Sequence, residues 1–209
     1  MSDGVVVKRS AGRRMTPERQ QRILDAAVDI AIDDGFPAIT MQSVAKRTGF
    51  TRPVVYDCFD GPEAIIIAVL DRESETVARE ITAVSEALNS STALADKGFV
   101  QIIIDRLDVM RAQPRTWLLL SVPTEGTTET VRARMHEIRE SLRQSFQYAL
   151  SDAVRDMPDP PLDTEVASYL IQDIVHSFAQ EMIARPEHYP IERIRGLIDT
   201  LMTNASPPS

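Results

Sequence analysis

The chain has 209 residues, 43% of them hydrophobic, and a formal net charge of −8, which allows one large or two small domains with a full core. Its single cysteine, Cys58, excludes an intrachain disulfide and points to a reducing, cytoplasmic setting. No apolar run approaches the ~20 residues needed to cross a bilayer, and no signal-peptide apolar region is present at the N-terminus.

The negative charge is unevenly spread. Residues 8–22 carry six basic side chains, among them Lys8, Arg9, Arg13 and Arg14, against the single acidic Glu18. A local basic segment on an acidic body is the pattern of a specific nucleic-acid binder that avoids indiscriminate binding. Residues 1–15 read as a flexible basic arm, with Arg14 a candidate for phosphate or minor-groove contact. A helix is predicted from Thr16, the N-cap, through Pro17 and Glu18 to Asp34, with Ile23, Ala27 and Ile30 at core spacing and Gly35 as its stop.

Next come two short helices around a tight turn. The first is predicted over 41–48 and capped by Thr40, Gly49 takes the left-handed turn, and Thr51 caps a second helix over 52–58. Val55 and Phe59, at i and i+4, face inward. Arg52, Pro53, Val54, Tyr56, Asp57 and Cys58 are left outward or at the edges. This is the layout of a helix-turn-helix, whose second helix enters the DNA major groove. Arg52 can bond guanine O6 and N7 or a phosphate, Val54 can pack on a thymine methyl, and Lys46 adds positive charge. Thr40 is first a cap and second a candidate contact. Asp57 either repels phosphate or accepts a bond from cytosine N4. Cys58 is a small filler or, alternatively, a redox-sensitive thiol.

Every later segment also reads as helix: a long one over 62–89 ended by Ser90-Ser91-Thr92, then 93–112, a short one from Pro114 to Val122, then 128–156, 164–185 and 191–204. The Pro158-Asp159-Pro160-Pro161 run is the clearest break, and 205–209 read as a disordered tail. No alternating strand pattern and no internal repeat occurs, so the expected fold is all-α. The helix over 164–185 carries two adjacent apolar stripes, Val166, Leu170, Ile174, Phe178, Met182 and Ala167, Ile171, Val175, Ala179, Ile183. That is wider than one neighbour can cover. The helix over 191–204 adds Ile191, Ile194, Leu197, Ile198 and Leu201.

The ordered set Asp34-Gly35-Phe36, Ile39-Thr40-Met41, Val44-Ala45-Lys46-Arg47-Thr48-Gly49-Phe50, Val55-Tyr56, Phe59 and Glu63-Ala64 resembles the DNA-binding domain of TetR-type transcriptional regulators. The resemblance runs from Thr16 to Leu70. It implies a helix-turn-helix domain over 16–62, then a larger helical effector-binding and dimerisation domain over 63–204. It further implies that Tyr56 anchors a backbone phosphate. The chain departs from the family pattern in three places: Pro62 stands where a phosphate-binding basic residue is common, Asp57 where an aromatic residue often follows the tyrosine, and Cys58 where histidine is frequent. Arg19 or Arg22 and the basic arm are expected to offset the missing charge.

By the same resemblance the last two long helices pair with those of a second subunit, with Leu170, Ile174, Phe178, Ile194, Ile198 and Leu201 at the interface. A small-molecule pocket is implied inside the bundle, with Met110, Trp117, Leu120, Met135, Phe146 and Phe178 as lining and Tyr148, His136 or Tyr169 as polar partners. Those side chains favour an apolar or aromatic effector. The expected function is that of a homodimeric repressor that binds a near-palindromic operator in double-stranded DNA and is released by such an effector. The alternative is a helical dimeric interaction protein whose DNA reader has decayed. No Gly-rich phosphate loop, nucleophile elbow or zinc-type cysteine pair occurs, and Asp173 with His176 is one carboxylate–histidine pair without a second. No enzymatic activity, cofactor, metal or membrane partner is expected.

Overall fold

The computed structural model describes residues 16–89, 104, 107–154, 163–185 and 187–205. The expected arm over 1–15, the break at 90–92, the first part of the helix over 93–112, the proline loop at 158–161 and the tail beyond Ala205 lie outside these residues. All described regular structure is helical. The elements are α1 (Pro17–Asp34), a 3-10 turn (Phe36–Ala38), α2 (Met41–Thr48), α3 (Arg52–Tyr56) and α4 (Pro62–Asn89). There follow α5, described at 104 and over 107–112, then α6 (Pro114–Ser121), α7 (Glu129–Val154), α8 (Thr164–Ala184) and α9 (Ile191–Ala205).

The capping chemistry read from the sequence operates at α1 and α2. The Arg19 N–H donates to Thr16 Oγ1, and Gly35 at φ +86° donates its N–H back to Ala31 O, closing α1. At α2 the cap is reciprocal. Ser43 N–H donates to Thr40 Oγ1 at 3.0 Å and Thr40 N–H donates to Ser43 Oγ at 2.9 Å, which satisfies two backbone donors at once. Gly49 follows at φ +73°.

Around these caps, α1 packs on α2 and on α4, and α2 packs on α3. Ile23, Phe36, Val44, Val55 and Ile65 are fully buried. Each such side chain contributes about 1.5–3 kcal/mol relative to exposure. The buried set continues without a gap through Leu107, Leu119 and Met135 to Ile194, so reader and body share one core, with α4 running along both. In the body, α7 packs on α8 and on α4. Asp163 caps α8 by accepting from the Glu165 and Val166 N–H groups. Helix α9 joins the core through Ile191 and Ile194, which are buried in the same cluster.

Candidate nucleic-acid interface

Helix α3 is shorter than expected. It ends at Tyr56, and Asp57 and Cys58 form a turn. Thr51 has the extended backbone of an N-cap (φ −80°, ψ 151°), yet its side chain makes no capping bond. The reason lies two residues on. An N-cap oxygen accepts from the N2 or N3 amide, and Pro53 at N2 has no N–H to offer. Val54 N–H instead donates to the Thr51 carbonyl at 3.0 Å. The exposed Thr51 hydroxyl is therefore available to an external partner.

The outward face is assembled from α2, the Gly49 turn and α3. Thr40, Lys46, Thr51, Arg52, Pro53 and Asp57 are exposed, Tyr56 is 51% exposed, and Val54 is half-buried. Val55 and Phe59 are buried beneath and fix the roll of α3. Among the described residues, neither Lys46 nor Arg52 has an intramolecular ion pair or hydrogen bond. Both cations are thus solvated side chains free to neutralise phosphate or meet a base edge. Arg14 lies outside the described residues.

Two arginines have internal roles instead. Arg22, expected to help offset the missing charge, donates to the Thr48 carbonyl at 2.9 Å and stacks 4.5 Å from the centre of the Phe50 ring. It clamps α1 to the end of α2 and places positive charge on the negative pole of that helix. Arg47 pairs with Asp33 at 3.1 Å. Pro62 occupies the first position of α4, where a ring without an N–H is well tolerated. The Cys58 thiol is half-buried, and burial, with Asp57 beside it, pushes its pKa up. A raised pKa disfavours the reactive thiolate, which favours the filler reading.

In the body, Met110 and Trp117 line a crevice with Leu118, Ser121, His176, Gln180 and Ile183. In this conformation it has no room for a water molecule. Leu120, Met135 and Phe146 are buried in the core and do not line it, and Phe178 packs half-buried against that core. Three expected polar partners are displaced: His136 is exposed, Tyr148 is 75% exposed, and Tyr169 lies on the surface under the Arg143 guanidinium. Their positions on α7 and α8 turn them away from the bundle interior. The polar groups at the crevice are Ser121, His176 and Gln180. The signal for them was the i, i+4, i+8 spacing of Gln172, His176 and Gln180 on α8, hidden among apolar neighbours. Burial and the nearby Arg139 charge push the His176 pKa down against the pull of Asp173, which favours the neutral imidazole.

The short helix α6 touches both halves. Arg115 pairs with Asp29 of α1, and Thr116 Oγ1 donates to Glu73 Oε2 of α4 at 2.6 Å. The next residues, Trp117, Leu118 and Ser121, line the crevice. Arg72 of α4 extends the polar seam to Asp25 at 2.7 Å and Gln21 at 3.0 Å. The turn before α7 rests on the reader as well, since the backbone at Gly126 approaches the Pro37 ring.

On α8, Val166, Tyr169, Leu170 and Ile174 are 49–61% exposed, and Leu197 of α9 is 49% exposed. Ile194 is corrected: at 2% exposure it packs inside its own chain rather than on an outer face. The side chains of Ile198 and Leu201 lie outside the described set. Among the described residues, no three His, Cys, Asp or Glu side chains cluster as a metal would require, and no helix is long and apolar enough to cross a membrane.

Residues 23–69 match the family described as bacterial regulatory proteins, tetR family. Over 84 residues the chain is 31% identical to the HTH-type transcriptional activator FasR of Mycolicibacterium smegmatis, covering 40% of this chain and 37% of that protein. Over 73 residues it is 32% identical to the HTH-type transcriptional repressor KstR of the same organism, covering 35% and 36%. The chain thus spans well under half the length of these relatives. Across almost the whole chain the fold resembles the fatty acid degradation regulator FadR from Bacillus halodurans, with TM-score 0.69, 15% identity and coverage of 94% of this chain and 100% of that one. The transcriptional regulator FadR from Bacillus subtilis, described in complex with stearoyl-CoA, gives TM-score 0.66 at 15% identity, covering 90% and 99%.

Proposed function

We propose that this chain, which belongs to the tetR family of bacterial regulatory proteins through its N-terminal reader, is a homodimeric repressor that binds a near-palindromic operator and is released by an apolar effector. The observation that carries DNA binding is the outward face of α2, the Gly49 turn and α3, where Lys46, Arg52, Thr51 and Tyr56 all meet solvent. In this reading Arg52 bonds a guanine edge, Lys46, Thr51 and Tyr56 hold phosphates, and Asp57 accepts from cytosine N4.

The exposed apolar strip of α8, together with the exposed Leu197 of α9, supports dimerisation: a second copy would cover apolar surface that is exposed among the described residues. Two readers related by a two-fold axis would meet successive major grooves ~34–36 Å apart. The effector reading draws support from the crevice beside Trp117 and from the stearoyl-CoA complex of the B. subtilis neighbour. In this mechanism, ligand opens the crevice and shifts α6. Arg115 and Thr116 on that helix then pull on α1 and α4 and misalign the readers. The coupling is reciprocal, so DNA weakens effector binding by the same factor.

The test is fluorescence anisotropy of the protein on DNA from its own upstream region, at two salt concentrations, against scrambled DNA. The expected result is saturable, sequence-preferring binding whose log affinity falls by about 0.9 per neutralised phosphate for each unit of log salt. Equal binding to scrambled DNA on every fragment would favour the decayed-reader alternative.

A further inference from the structure

Phosphate contacts hold a reading helix in register, and a helix lying in the major groove has a phosphate strand on either side. The two ends of α3 are charged differently. Arg52 supplies an uncommitted cation at its start, with Lys46 on α2. Past its other end Asp57, Asp60 and Glu63 are exposed and form no ion pair among the described residues, and Pro62 adds no charge. Alone, that edge would repel a phosphate strand. One cation stands beside it. Arg19 lies in the first turn of α1, its N–H held by Thr16 Oγ1. One turn further along the same face, Arg22 is fixed at the end of α2 by Thr48 O and the Phe50 ring. The i, i+3 spacing therefore carries Arg19 past Phe50 toward the end of α3. There its charge reaches the Cys58 thiol, against the upward push of burial and of Asp57. Arg19 is half-buried, yet its guanidinium has no ion pair or hydrogen bond among the described residues. Glu18 does not take it: that carboxylate turns back on its own N–H and the Thr16 hydroxyl. A covered stem with an uncommitted head suits an arginine that reaches a charge outside its own chain.

Resting on the DNA-binding reading above, we infer that Arg19 is a phosphate clamp at the far end of α3, holding the DNA strand that passes Asp57 and the start of α4 and supplying the charge that Pro62 does not. A guanidinium can bond two oxygens of one phosphate, so a single residue sets position as well as charge. With that strand held by Arg19, Asp57 can lie against the groove instead of being driven from it. Arg22 cannot take this part, because its guanidinium is committed to Thr48 and Phe50.

The experiment uses the full chain on the DNA fragment that it selects, with anisotropy read at several salt concentrations and a single uncharged methylphosphonate walked through each strand. Arg19→Ala is expected to weaken binding about tenfold, the scale of one charge-assisted hydrogen bond, and to lower the salt slope by about 0.9 for each subunit bound. Arg19→Lys should keep most of the slope. In the unaltered protein, neutralising the clamped phosphate should weaken binding. In Arg19→Ala that one position in each half-site should lose its effect, while the positions held by Lys46 and Tyr56 keep theirs. An unchanged salt slope in Arg19→Ala would overturn the clamp. So would a loss of affinity in which every phosphonate position keeps its effect, since Arg19 would then act through packing alone. If the unaltered protein prefers no fragment over scrambled DNA, the DNA-binding reading falls and the clamp with it.

Discussion

Single residues set the shape of the reading face. Gly49 is needed for its backbone: at φ +73° an L side chain is strained, although a Cβ there would meet nothing within 4 Å. Gly49→Ala should therefore cost about 1–2 kcal/mol from the left-handed conformation alone, seen as a lower urea midpoint with unchanged m-value. Arg52 and Lys46 are expected to separate base reading from phosphate binding. Arg52→Ala should lower operator affinity by about 1–3 kcal/mol and leave scrambled DNA little changed. Lys46→Ala should weaken both alike and reduce the salt slope by about 1. An equal loss on both DNAs for Arg52→Ala would make Arg52 a phosphate contact. Elsewhere, Arg143 bonds the Glu140 carboxylate and holds its pKa at about 2. Since this folded value lies below the ordinary glutamate range, the stabilisation is present above about pH 4.3 and is lost as pH falls toward 2. Glu140→Gln should flatten that part of the acid-unfolding curve.

At the scale of elements, helix existence and order were legible because the apolar spacing is strong and the caps carry their own chemistry. Thr40, Gly35 and Gly49 act where the sequence placed them. The end of α3 was not legible, since Pro53 and the turn at Asp57 compete with a helix that the Val55–Phe59 spacing alone would extend. The outward residues of the reader could be read because two buried side chains fix the roll of a short helix. The crevice could not be, because Leu120, Met135 and Phe146 have the same spacing as lining residues and differ only in which neighbour covers them. Nor could Arg22 be assigned, since its partner is a backbone carbonyl 26 residues away. The seam at α6 is the element whose role is easiest to break. Thr116→Val would leave the nearly buried Glu73 carboxylate without its hydroxyl donor, at a cost of about 1–3 kcal/mol. With Arg115→Ala it should also weaken the link between effector and DNA. The check is a double-mutant cycle on effector-induced release. Strict additivity, with unchanged release, would show that the signal bypasses α6.

For the whole molecule, the reader and body share one continuous core, so a change at the crevice has a packed route to α1 and α4. Among the described residues, the outer strip of α8 is an apolar part of the body left uncovered. Leu170→Glu with Ile174→Glu places charge on that strip and should give a monomer by light scattering at micromolar concentration. The monomer should keep its helical content and lose operator affinity by more than tenfold, because only a dimer spans two half-sites. A dimeric mass for the double variant would move the interface to another surface. The account as a whole stands on two readers held in register on one DNA site. The most direct measurement is a hydroxyl-radical footprint on the DNA fragment that the protein selects. The expected result is two symmetric protected patches with centres about 10 base pairs apart, or a multiple of that spacing. A single patch, or even protection along the whole fragment at saturating protein, would contradict it.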